Sequence, residues 1–333
     1  MSSKITDKDY LYLSAMLSAR ETRMLTADRA ERMIDAPSFD EAAKLLCDCG
    51  YDDMSGMSAV QVEKKLSEHR AAIFAELSRY VPEHAIVDAF KLRYDYHNAK
   101  VLVKAEGADV DGAYLLSYSG SIEPEKLIEA YNADEFRFMP EKLRTAIIEA
   151  KSVLARTENP QLADFVLDKA YFSELSEMAQ GLSSDFLKRY VEALADSANL
   201  RAAVRTKRIG RDGEFLRRAL VPGGSRGVES VVQTANSGEG LSAVYAGTAF
   251  EQAAVAGDEA AAGGDLMKFE LLCDNAVTSF LCAAKRVAFG AEAVVAYIAA
   301  VESELTAIRM ILTGKLSGVK PEKLKERLRD TYA

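Results

Sequence analysis

The chain has no tryptophan, three histidines, seven prolines and four cysteines in 333 residues, and these shortages exclude several kinds of function. Three histidines are too few for most metal sites, and no H-E-x-x-H helix signature occurs. Cys47, Cys49, Cys273 and Cys282 lack zinc-ligand spacing. They read as reduced core or surface thiols, which points to the cytosol. No run of about 18 apolar residues is present, so no helix is expected to span a bilayer. Met1 to Tyr10 is polar with no apolar run behind it, and no secretory leader is expected there. Acidic residues outnumber basic ones 51 to 42, for a net charge of −9. An acidic chain without a basic block is a poor ligand for nucleic acid and for an anionic membrane surface.

Catalytic signatures are missing as well. No phosphate loop is found: Gly314-Lys315 is followed by Leu316 and lacks the upstream glycine. Gly223 to Gly227 has glycines but no strand before it, and reads as a plain loop. No G-x-S-x-G elbow occurs. Glu302 and Glu304 are two apart, so on a helix they face different ways and form no acid–base pair. His69 and His84 lie among charged residues and are expected to be exposed. His97 is expected to be a hydrogen-bonded helix histidine, with general base or pH sensor as the other readings. No catalytic, cofactor-binding or metal-ligating residue is therefore assigned, and no cofactor. A scaffold or coupler is expected rather than an enzyme.

What the chain does have is helix-forming sequence nearly throughout, rich in alanine, leucine and glutamate. Strand signals hardly occur, and the fold class is all-α. Residues 26–32 and 39–46 read as short helices, the second opened by Ser38. Pro-Glu-Lys-Leu begins at Pro124, Pro140 and Pro321, and suits a helix start with proline at the first position and acid behind it. Pro222 to Gly227 and Gly257 to Gly264 read as loops.

An internal repeat organises the rest. Asp95-x-x-Asn98-x-Lys100 returns as Asp196-x-x-Asn199-x-Arg201, then as Glu304-x-x-Ala307-x-Arg309. Around the last copy, Val294, Ile298, Val301, Leu305, Ile308 and Leu312 are spaced as a helix seam. The same offsets pick out Phe186, Tyr190, Ala193, Ser197, Leu200 and Val204, and Ala85, Ala89, Leu92, Tyr96, Ala99 and Val103. Ser119-Gly120 before Pro124 is echoed by Ser317-Gly318 before Pro321. Three helical repeats are expected, over 1–110, 111–211 and 212–333. Each Asp/Asn pair shares a helix face and is expected to bond the backbone at the ends of neighbouring helices. The basic residue five positions on lies about 140° round the helix, out of easy reach of that aspartate.

In order and spacing these residues resemble the C subunit of prokaryotic V-type (A/V-type) ATPases, equivalent to the eukaryotic d subunit. The resemblance runs over essentially the whole chain. Tyr12, Ala19-Arg20, Leu25, Ser38-Phe39, Leu45 and Gly50-Tyr51 follow the family's opening pattern, and the first two Asp/Asn anchors fall where it has them. Asp168 to Phe172, Phe269-Glu270 and Asp274-Asn275 match later segments. The C-terminal stretch is the most specific: Glu302-x-Glu304, Ile308-Arg309-x-Ile311, Gly314-Lys315, Glu326 to Arg329 and Tyr332. Ala293 stands where the family often has proline, and residues 236–264 match no part of it.

The resemblance implies a funnel of three similar helical domains in pseudo-threefold arrangement. It implies a non-catalytic rotor subunit of the central stalk, between the shaft subunits and the membrane proteolipid ring. Such a subunit transmits torque between ATP turnover and ion transport, and is held peripherally at the cytoplasmic side by protein contacts. The isolated chain is expected to be a monomer; the basic tail Lys320 to Arg329 reads as a solvated amphipathic helix, with contact to a partner by it or by another part of the third repeat as the other reading. A soluble helical-repeat adaptor outside any ATPase would share the repeats. An all-α enzyme built around His97 is a third reading.

Overall fold

In the computed structural model, residues 5–182 and 184–333 are described; Met1 to Lys4, which open the polar N-terminal segment, and Ser183 lie outside them. Every regular element among the described residues is helical. The N-terminal part holds α1 (Leu11–Glu21), α2 (Ala27–Asp35), α3 (Phe39–Leu45) and α4 (Ala59–Tyr80). Next come α5 (Ala85–Ala108), α6 (Pro124–Ala133), α7 (Glu141–Thr157), α8 (Pro160–Gly181) and α9 (Asp185–Arg208). Five shorter or intermediate helices follow: α10 (Gly213–Ala219), α11 (Val228–Ser237), α12 (Leu241–Tyr245), α13 (Glu251–Ala261) and α14 (Leu266–Cys282). The chain closes with α15 (Ala291–Leu316) and α16 (Pro321–Lys325).

Helix starts follow local chemistry. Thr26, Ser38, Ser58, Ser184 and Asp212 each cap a helix by accepting a backbone N–H of its first turn, which otherwise lacks a partner. Pro124 and Pro321 sit at the first turns of α6 and α16 as expected, whereas Pro140 precedes α7 as its capping residue. The glycine-rich stretch from Gly257 is a correction. Residues up to Ala261 continue α13, and only the turn beyond is a loop. Gly257 serves close packing there, since a Cβ on it would stand 2.8 Å from Val204 Cγ2 and 3.0 Å from Phe269 Cε2.

The helices gather into two compact units, residues 1–84 with 270–333, and residues 85–269. In the first, α15 is the central element, with α1, α2, α3, α4 and α16 packed on it. Its seam residues Val294, Ile298, Val301, Leu305, Ile308 and Leu312 are all buried, and so are most residues between them. A helix apolar on every side is stable only when surrounded. In the second unit, α8 packs against α5, α7 and α9, and α10, α11 and α13 also pack on α9. The seams of α5 and α9 are buried apart from Ala85 and Ala193, which are half-buried.

Candidate functional site

The repeated Asp/Asn pairs act as latches that hold a loop against a long helix. On α5, Asn98 bonds both backbone groups of Ser117: its Nδ2 donates to the carbonyl at 2.8 Å and its Oδ1 accepts the N–H at 2.8 Å. One turn back, Asp95 Oδ1 accepts the N–H groups of Ser121 (2.9 Å) and Ile122 (3.0 Å) as the chain enters α6. On α9 the geometry repeats. Asn199 donates to the Val221 carbonyl at 2.9 Å and accepts its N–H at 2.7 Å. Asp196 accepts the Ser225 hydroxyl at 2.5 Å and the Arg226 N–H at 3.4 Å.

Both loops carry a glycine at the point of closest approach. A Cβ on Gly120 would lie 2.3 Å from Asp95 Oδ1, and one on Gly224 would lie 2.5 Å from Asp196 Oδ1. Gly120 therefore matches Gly224, within the stretch read as a plain loop. Gly318, paired with Gly120 in the sequence, plays a different part and ends α15 at φ +68°, with open space where a Cβ would be. A third carboxylate, Asp258 of α13, holds the start of α12 in the same manner. It accepts the N–H groups of Leu241 and Ser242 at 2.7 and 3.0 Å, with Gly240 beside it. Sequence reasoning missed this one, because no Asn three residues on marks it.

The third long helix has a one-armed latch. Glu304 of α15 accepts the Leu25 N–H at 2.6 Å, just ahead of α2, and Ala307 replaces the asparagine arm. The loop held here comes from the N-terminal end of the chain, so the latch runs from the last long helix to the first residues. The neighbouring Glu302 does face elsewhere: it pairs with Arg70 of α4 at 3.0 Å, with side chains only 14% and 5% exposed. The repeated basic residues are spent within their own units. Lys100 pairs with Asp168 of α8, and Arg309 meets Glu63 of α4 through both carboxylate oxygens. Arg201 donates to Ser197 of its own helix.

His97 is exposed and bonds the Leu115 carbonyl at 3.2 Å, in keeping with the structural reading. His84 is exposed as expected, but His69 is half-buried and stacked on Tyr51, ring centroids 4.3 Å apart. Burial pushes its pKa down. The basic tail lies partly on its own unit. Lys325 pairs with Asp35 and Arg329 with Asp274, each at 2.8 Å, and Leu324 is buried against Gly314. Among the described residues, no group of three or more His, Cys, Asp or Glu could hold a metal ion, and no helix is long and apolar enough to cross a membrane.

A family model described as ATP synthase (C/AC39) subunit matches residues 13–327. The chain belongs to that family. Among its relatives is the C subunit of the V-type sodium ATPase of Enterococcus hirae, 26% identical over 97% of this chain and 99% of its own length. The C subunit of the A-type ATP synthase of Methanocaldococcus jannaschii is 24% identical over 96% of this chain and 86% of its own. The C subunit of the V-type ATP synthase of Thermus thermophilus is 26% identical, over 63% of this chain and 67% of its own. The C/AC39 chain is thus a structural, non-catalytic subunit of a V/A-type ATP synthase.

The latches give this C/AC39 chain a pH-dependent stability. Burial raises Asp95 to about 6, against the two backbone N–H groups that favour its charge. Burial likewise raises Glu304 to about 7, opposed by the Leu25 N–H, Tyr51 and Arg29. The ordinary values are 3.8 and 4.5, so between about pH 4 and 7 these two carboxyls hold more proton in the folded chain than in the unfolded one. The stability these two groups contribute then falls as pH rises through that window, by on the order of 2 kcal/mol for each. Urea midpoints measured from pH 4.5 to 7.5 are expected to decline, and Asp95→Asn and Glu304→Gln each to flatten the decline. A pH dependence identical in the parent, Asp95→Asn and Glu304→Gln would contradict both assignments.

Proposed function

We propose that this chain is the central-stalk rotor subunit that links the shaft of a V/A-type ATPase to its membrane proteolipid ring and carries torque between them. The observation that carries the reading is the repeated latch. Three long helices each fix the loop ahead of a short helix through buried carboxylate bonds to the backbone, so helix and loop move as one piece. A coupler must transmit force without yielding, and a close-packed helical body with bonded loops has low compliance. The reading extends to three repeats, over 1–110, 111–211 and 212–333, arranged about a pseudo-threefold axis. Such an arrangement suits an element that joins a narrow shaft to a wide ring. The chain would lie peripherally on the cytoplasmic side, held by protein contacts and monomeric on its own.

A tagged pull-down from gently solubilised membranes, with mass spectrometry of everything retained, tests the reading. Recovery of the catalytic subunits, the shaft subunits and the proteolipid together is expected. Recovery of the shaft without the proteolipid, or of neither, from membranes that contain the intact complex would overturn the linking role and favour an adaptor.

A further inference from the structure

The loop between α5 and α6 has the densest group of exposed large apolar side chains among the described residues. Val110 is 62% exposed, Tyr114 71%, Leu115 52% and Tyr118 61%, within nine residues. Large apolar side chains clustered on a surface mark an interaction site, and tyrosine is favoured there because its ring is rigid and amphipathic.

The loop is built to hold these groups still. Asn98 fixes Ser117, His97 bonds the Leu115 carbonyl, and Asp111 accepts the Ala113 N–H at 2.9 Å. Residues 113–115 form a single helical turn, and Gly112 lets it sit close on α5, since a Cβ there would stand 2.9 Å from Ala105 Cβ. Tyr118 donates to Glu125. Groups already ordered lose little entropy when a partner arrives.

Charge identifies the partner. Residues 105–125 contain five carboxylates and no lysine, arginine or histidine. Glu106 lies within 4.0 Å of Lys151, and Glu123 pairs with Lys126. Asp109, Asp111 and Glu125 carry no ion pair among the described residues, and their charge faces outward beside the tyrosines. An anionic lipid surface would be repelled by this loop, and a second copy would bring like charge against like.

We propose that this loop is a docking surface for a basic, apolar-tipped protein segment of another subunit in the ATPase assembly. Its apolar tip would cover Tyr114 and Leu115. Its lysine or arginine would meet Asp109, Asp111 and Glu125, or lie over a tyrosine ring. The proposal rests on membership of a rotary complex, and the test separates the two.

Hydroxyl-radical footprinting would compare Tyr114 and Tyr118 in the free full-length chain, in the purified detergent-solubilised complex, and in the free chain with phosphatidylglycerol vesicles. At least fivefold less oxidation is expected in the complex, with no protection by vesicles. A zero-length carbodiimide is expected to link Asp109, Asp111 or Glu125 to a lysine of another subunit. Tyr114→Ser, with an unchanged circular dichroism spectrum, is expected to rebind the stripped complex about tenfold more weakly. Equal oxidation of Tyr114 in free and complexed chain, with the chain itself retained, would overturn the docking surface and leave the subunit assignment standing. Protection by vesicles alone, a carbodiimide link only to a second copy of this chain, or undiminished rebinding of Tyr114→Ser would also overturn it. A chain absent from the complex would overturn both.

Discussion

Asn98→Ala is expected to cost about 2–6 kcal/mol, a large part of the 5–15 kcal/mol that holds a typical domain folded. The asparagine side chain is fully buried, and its amide is the partner of both the N–H and the carbonyl of Ser117, itself buried. Truncation removes the acceptor of the Ser117 N–H and the donor to its carbonyl, each bond lost from a buried place at about 1–3 kcal/mol. Asn98→Asp should rescue only half: it still accepts the Ser117 N–H but loses the donor, and adds a charge one turn from Asp95. Asn199→Ala on α9 is expected to behave alike, through Val221. Urea unfolding with an unchanged m-value would measure the loss. His97→Ala gives up an exposed bond to the Leu115 carbonyl of the same loop and should cost less than about 1 kcal/mol. A loss at Asn98 as small as that at His97 would show that the two buried bonds of Asn98 are not what holds the loop.

Arg70→Met is expected to be comparably severe, at about 3–5 kcal/mol, because it removes the cation paired with the mostly buried Glu302 between α4 and α15. Taking both ions out of water offsets most of their attraction, so the double variant Arg70→Met/Glu302→Leu should return to within about 1–2 kcal/mol of the parent. A double-mutant cycle by chemical denaturation gives the coupling directly. A double variant no better than the worse single one would mean that the pair supplies net stability. The contrast with Arg309 and Glu63 is useful. That pair joins the same two helices through exposed side chains, and solvent screening should hold its worth to at most about 1 kcal/mol.

Much of this was legible before any coordinates. The all-helical class followed from composition and the lack of alternating strands. The buried seams of α5, α9 and α15 followed from spacing, since a stripe repeating every three or four residues has only one face to bury. Recurrence singles out the Asp/Asn pairs, and they do bond backbone, but at Ser117, Ser121, Ile122, Val221 and Arg226, in loops and not at the helix ends that the shortage of acceptors points to. What escaped was non-local. Glycine usually breaks helices, which makes Gly257 look like loop from sequence, but the approach of Val204 and Phe269 makes it a packing residue within α13. His69 was expected in water because its sequence neighbours are charged, yet Tyr51 covers it from another segment.

The sequence by itself determined the helices, their caps, their apolar faces and the identity of the polar pairs, because these depend on residues within a turn or two. Only the tertiary structure decided which loop each pair holds. Asp95 reaches 26 residues ahead to Ser121 and Asp196 reaches 29 ahead to Ser225, while Glu304 reaches 279 back to Leu25. A buried carboxylate needs N–H or O–H donors but carries no label for which ones, so the choice falls to the packing that brings a loop within about 3 Å of it.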